Sequence, residues 1–89
     1  MDENQVQAFI AANPDPTKRL VRCVMTNYVH HGQVGLLLRT EKQDGIYGAY
    51  LNCAVGFWGP SITAGNTIPR RQHQMVEEWI VSVALEPAI

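Results

Sequence analysis

Apolar positions recur along this chain with two different periods. Val6, Phe9 and Ile10 stand at i, i+3 and i+4, the spacing of one helical face. Asp2 ahead of them can cap a helix, and Gln5 three residues later completes a capping-box spacing. Asn13-Pro14-Asp15-Pro16 ends the pattern, because proline lacks an N–H and restricts its predecessor. From Leu20 to Val29 the composition turns to β-branched and aromatic residues, which predicts a strand. Alternation puts Val21, Cys23 and Met25 on one face and Leu20, Arg22, Val24 and Thr26 on the other. Both faces are partly apolar, as in a strand with neighbours on either side.

His30-His31-Gly32-Gln33 reads as a turn, with Gly32 able to take a positive φ. Val34 to Thr40 is the second predicted strand. Lys42-Gln43-Asp44-Gly45 then carries Asp-Gly, a strong hairpin signal. Ile46 to Val55 forms the third strand, with Tyr47, Ala49, Leu51, Cys53 and Val55 on one face. Gly56 to Thr67 is a loop by composition. Pro69 suits the first turn of a helix, and Met75, Val76, Trp79, Ile80 and Val83 fit helical spacing, although Trp79 to Val83 also fits a strand. The expectation is a second helix from about Pro69 to about Glu78 followed by a closing strand. The predicted fold is therefore α+β and a single domain over 1–89: a short N-terminal helix, an antiparallel β-meander of about three strands, a second helix and a closing C-terminal strand.

Composition adds a hint about assembly. Hydrophobic residues make up 46% and charged residues only 17%, which leaves apolar surface to spare and predicts a homo-oligomer. A net charge of −1 argues against general nucleic-acid binding, which rests on a positive excess. The start, Met1-Asp2-Glu3-Asn4, is acidic and polar rather than signal-like, and no apolar run has transmembrane length. With two cysteines only, the expected location is the cytoplasm and no membrane association is expected.

Catalytic chemistry finds little support. His30 and His31 are adjacent, so in extended chain they point apart, and His73 and the cysteines show no ligand spacing with them. They read as solvent-facing turn histidines, with no metal site. Cys53 lies in an alternating apolar row and reads as buried core; a disulfide between Cys23 and Cys53 is the alternative. No nucleophile elbow and no Walker-type phosphate loop occurs. Glu77 and Glu78 are adjacent and on a helix do not face each other. The chain is expected to be no enzyme and to need no cofactor.

Binding chemistry is better represented. Phe57 and Trp58 are large aromatics in a glycine-rich stretch, and Arg70 and Arg71 follow Pro69 in the predicted first helical turn. Aromatics stack on bases, and arginine meets phosphate through two N–H groups. Together these four residues suit a phosphate-bearing, nucleotide-like ligand. Against this stands the bland reading, in which the aromatics fold onto the core and the arginines are solvated. Lys18, Arg19, Arg22, Arg39 and Lys42 form a second basic group, read as a sheet edge protected against aggregation.

The segment Pro69-Arg70-Arg71-Gln72-His73-Gln74-Met75-Val76-Glu77-Glu78-Trp79-Ile80-Val81 resembles the end of the second Thoeris anti-defence family of small phage proteins. Members of that family end in a proline-led short helix that runs into an acidic-acidic-tryptophan-aliphatic strand. Lys18-Arg19-Leu20-Val21-Arg22 is similar to the basic strand opening near their front. The chain departs from the pattern at Val24-Met25, where the family has Gly-Trp. It departs again at Thr67, where a tryptophan is usual, and at His73, where an aspartate is usual. The resemblance implies a non-enzymatic oligomer in host-cell cytoplasm that sequesters a cyclic-nucleotide-type immune signal. The alternative, from size, low charge and spare apolar surface, is a protein–protein inhibitor or adaptor that blocks a host protein.

Overall fold

Asp2 and Gln5 do what their spacing predicts. In the computed structural model, which describes residues 1–59, 62–63, 66–67 and 74–89, the Asp2 carboxylate accepts from the Gln5 backbone N–H at 2.8 Å, and the Gln5 side chain accepts from the Asp2 N–H at 2.8 Å. Helix α1 (Glu3–Ala12) starts from this box. It buries Val6 completely and rests Phe9 and Ile10 against the core. Its Glu3 is paired with Lys42 at 2.8 Å.

The rest is mostly sheet. Strands β1 (Leu20–Cys23), β2 (Val34–Gly45), β3 (Gly48–Gly59), β6 (Gln74–Val81) and β7 (Leu85–Pro87) form one antiparallel sheet in the order β6-β3-β2-β1-β7. Two short strands, β4 (Ile62–Thr63) and β5 (Asn66–Thr67), pair separately with each other.

Chain length forces this sheet to curl. In a flat sheet the two edge strands, β6 and β7, would lie four inter-strand spacings or about 19 Å apart. Only one 3-10 turn, Ser82–Ala84, joins them, and four residue steps span at most about 14 Å even fully extended. The sheet therefore bends round so that its edges approach. Its inner face carries the core: Val21, Cys23, Leu37, Leu51, Cys53, Val55, Phe57 and Ile80, closed by Val6, Ala84 and Leu85. The Met1 ammonium donates to the carbonyls of Ser82 and Leu85 and so holds the closing turn.

A bulge helps the bend. The β2–β3 register shifts between Leu37 and Arg39, and a bulge raises local twist. Arg19, only 6% exposed, is clamped on this spot. Its Nε donates to the Leu37 carbonyl at 2.9 Å and a terminal nitrogen to the Leu38 carbonyl at 2.9 Å. The other terminal nitrogen reaches the carbonyls of Asn13 and Pro14 at 3.2 and 3.4 Å.

The α+β class holds, and so do the N-terminal helix, the antiparallel meander and the C-terminal strand. Four boundaries differ. The first strand stops at Cys23 rather than Val29, because the chain turns through residues 25–33; Gly32 there takes φ 81° as expected. Lys42 to Gly45 lie within β2, and the hairpin turns at Ile46-Tyr47, with Gly48 at φ 117°. Gly56 to Gly59, read as loop, continue β3, and Ile62-Thr63 and Asn66-Thr67 are paired strand. Gln74 to Glu78, read as the end of a second helix, are strand: they continue the β3 ladder, where Gly59 faces Gln74 and Val55 faces Glu78. The start of that predicted helix, Pro69 to His73, lies outside the described residues.

Candidate binding surface

Phe57 and Trp58 are neighbours on β3, so their side chains leave opposite faces of the sheet. Phe57 points inward and is buried. The His30 ring lies flat on it, with centroids 4.2 Å apart and planes 7° apart. The two aromatics therefore cannot bracket one ligand, and Phe57 acts as support rather than contact. Arg70 and Arg71, the other two predicted ligand residues, lie outside the described residues.

His30 is the centre of a polar plug at the mouth of the inner face. Its Nδ1 sits 3.0 Å from Gln33 Oε1, and its Nε2 lies 3.9 Å from a Glu78 carboxylate oxygen. Tyr28 meets its edge at 5.6 Å between centroids. Burial pushes the Tyr28 phenol up from its ordinary value, and the Glu78 charge adds to this. The histidine read as a solvent-facing turn residue is thus half-buried and packed. His31 is exposed. Among the described residues, no group of three or more His, Cys, Asp and Glu side chains is placed to hold a metal ion.

Both cysteines are free and buried, as the core reading had it. Burial pushes the Cys53 thiol up to about 11, which is opposite to what a nucleophile needs.

Trp58 points outward and is 63% exposed. The cross-strand register builds an apolar field beside it. Met75 of β6 stands opposite Trp58, Glu77 opposite Gly56, and Trp79 opposite Ala54. The glycine leaves room for Met75, whose thioether lies where a side chain at position 56 would be. Trp79 is 40% exposed and carries the Arg39 guanidinium 5.4 Å from its ring centroid. Arg39 also binds the Glu77 carboxylate. Leu20 and Leu36, paired in register, continue the same face and are half-buried. The outer side of an antiparallel sheet is normally polar; this one carries two tryptophans, a methionine and two leucines.

Four members of the predicted basic group are each engaged elsewhere. Arg22 lies 3.9 Å from Glu86, Arg39 holds Glu77, Lys42 holds Glu3, and Arg19 is spent on backbone carbonyls. A second exposed apolar feature escaped the sequence reading. Ile46 and Tyr47 stand fully exposed at the hairpin tip, and the half-exposed Tyr50 lies across Gly45 behind them. The signal was present as two apolar residues after Asp-Gly, but alternation assigned them to a strand.

Comparison with protein-family models, with curated proteins and with solved structures finds no match to this chain. No helix among the described residues is long and apolar enough to cross a membrane.

Proposed function

We propose that this chain is a non-catalytic binding module whose outer sheet face, centred on Trp58, docks on a partner protein as an inhibitor or adaptor does. The observation that carries the reading is the 63% exposure of Trp58 beside Met75 and Trp79 on one face. Tryptophan and arginine dominate the energetic centres of protein interfaces, and Arg39 lies in the same field. Two exposed tryptophans with a half-buried methionine on the same face form a contiguous apolar patch of the kind that marks an interaction site. The four arginine and lysine side chains just described already have partners, which favours an apolar protein contact over a phosphate-led one there.

A second reading draws on the same side chain. An exposed indole can stack on a base, so Trp58 with Arg70 and Arg71 would serve a sponge for a phosphate-bearing signal of the cyclic-nucleotide type. Two experiments separate them. Affinity capture from cell lysate with wild type and Trp58→Ala should give a partner protein that the variant loses. Calorimetric titration with cyclic nucleotides and ADP-ribose derivatives should give no heat; heat that depends on Trp58 would assign the sponge reading instead. Identical capture by both proteins, with no heat, would remove both.

A further inference from the structure

The middle of the outer face has a floor of small residues and a roof of long ones. Gly56 and Ala54 hold successive outward positions of β3. Glu77 and Trp79 stand opposite them on β6, and Leu36 and Arg39 on β2. Both floor residues are buried, Ala54 completely. Two side chains cover them. Arg39 starts on β2, yet its guanidinium binds Glu77 and lies over the Trp79 ring, both on β6. It reaches them only by crossing above β3. Met75 comes from the other side and lies on Gly56, with its thioether in the place a Cβ would take.

Neither cover is fixed. The Arg39 side chain is 60% exposed, and an ion pair so open to water contributes little. Methionine turns about several bonds and repacks readily. The floor, by contrast, is the backbone of a strand paired on both sides. We infer that this roof opens onto a pocket for one aromatic side chain of a docking protein. The inference rests on the reading of the outer face as a docking surface, and it names what that surface takes.

Size and chemistry select the occupant. With both covers swung aside, the hollow runs about 7 Å along β3, two residue steps, and about 10 Å from β2 to β6, two strand spacings. One ring fits it lying flat. A guanidinium and a thioether both gain from an aromatic face beneath them, through cation–π and sulfur–ring contacts. An aliphatic side chain would displace the same roof and offer neither. Arg39 already sits 5.4 Å from the centroid of one aromatic ring, that of Trp79. Trp58 and Trp79 border the hollow and meet the edge of a ring placed there.

Free small molecules test the pocket without the partner. p-Cresol, the tyrosine side chain as a separate molecule, is titrated at millimolar concentration into the isotope-labelled chain, with methylcyclohexanol as its aliphatic match. p-Cresol should shift the amide signals of Gly56 and Ala54 saturably and bind about fivefold more tightly than the cyclohexanol. Glu77→Gln frees Arg39 but keeps its guanidinium, and should tighten p-cresol binding about threefold. Ala54→Leu fills the hollow and should abolish binding. A response that does not saturate, equal affinity for the two probes, or shifts confined to Trp58 would overturn the pocket. So would undiminished binding by folded Ala54→Leu; the probe pair and Glu77→Gln decide the matter even if that variant fails to fold. Failure here, with Trp58-dependent capture of a partner retained, would remove the pocket and leave the docking face standing. Saturable p-cresol binding without such capture would overturn the docking role instead.

Discussion

Arg19 holds Leu38: its guanidinium donates to the Leu38 carbonyl at 2.9 Å, beside the bond it makes to the Leu37 carbonyl. These two carbonyls belong to the bulge where β2 bends. The same side chain reaches back to the Asn13 and Pro14 carbonyls behind helix α1. One buried cation thus fixes the curl of the sheet and the docking of the helix, with carbonyl dipoles in place of a carboxylate. Arg19→Met should cost about 2–3 kcal/mol, because it removes these donors while their carbonyls stay buried. Arg19→Lys should not rescue it, since an ammonium lacks the planar fork. Urea denaturation measures both; a lysine variant as stable as wild type would show that charge, not the fork, matters.

Gly35 and Gly56 face the two sides of the same strand pair and should respond differently to alanine. A Cβ at Gly35 would stand 2.7 Å from the Gly56 carbonyl oxygen and 2.7 Å from Val55 Cγ1, neither of which can move aside. Gly35→Ala should therefore cost at least about 2 kcal/mol through overpacking. At Gly56 the nearest obstacle is the flexible Met75 side chain, so Gly56→Ala should cost under about 1 kcal/mol. Thermal melts of the two variants give the comparison, and a reversed order would contradict the placement of Met75.

Cys53 sets a pH dependence. Burial holds its thiol protonated up to about 11, against 9.0 for a thiol in water. Above pH 9 the unfolded chain loses this proton and the folded chain keeps it, so the unfolded state binds fewer protons and stability falls as pH rises. The loss should develop between about pH 9 and 11 and approach about 2–3 kcal/mol. Cys53→Val should flatten that limb. Measured unfolding free energies from pH 8 to 11 check it; a parallel decline in both proteins would assign the loss elsewhere.

What the sequence makes legible is what is local. The Asp2–Gln5 box and the Val6 stripe need only one helix. The inward row Leu51, Cys53 and Val55 follows from alternation alone, and Asp44-Gly45 marks the hairpin to within two residues. What escapes is set by distant chain. Met75, Val76, Trp79 and Ile80 satisfy helical spacing as well as strand alternation, and the outcome is decided by the open edge of β3, which supplies eight partners. His30 is legible as a turn residue, but its seat on Phe57 depends on contact across the fold. Arg19 looks like one more surface cation, because its acceptors are backbone carbonyls that no residue type announces. The same holds for the outer face: Trp58 reads as a contact residue, but its cross-strand neighbour Met75 lies in a stretch read as helix, and Trp79 reaches the same face only because that stretch continues its strand.

The outer face is the centre of the account, and Trp58→Ala tests it most directly. Trp58 is an exposed residue that no core contact requires, so the variant should melt within a few degrees of wild type. With folding so matched, capture experiments with the two proteins should differ by a partner that wild type retains and the variant loses. Equal retention of that partner by both folded proteins would contradict the claim that this face is the working surface.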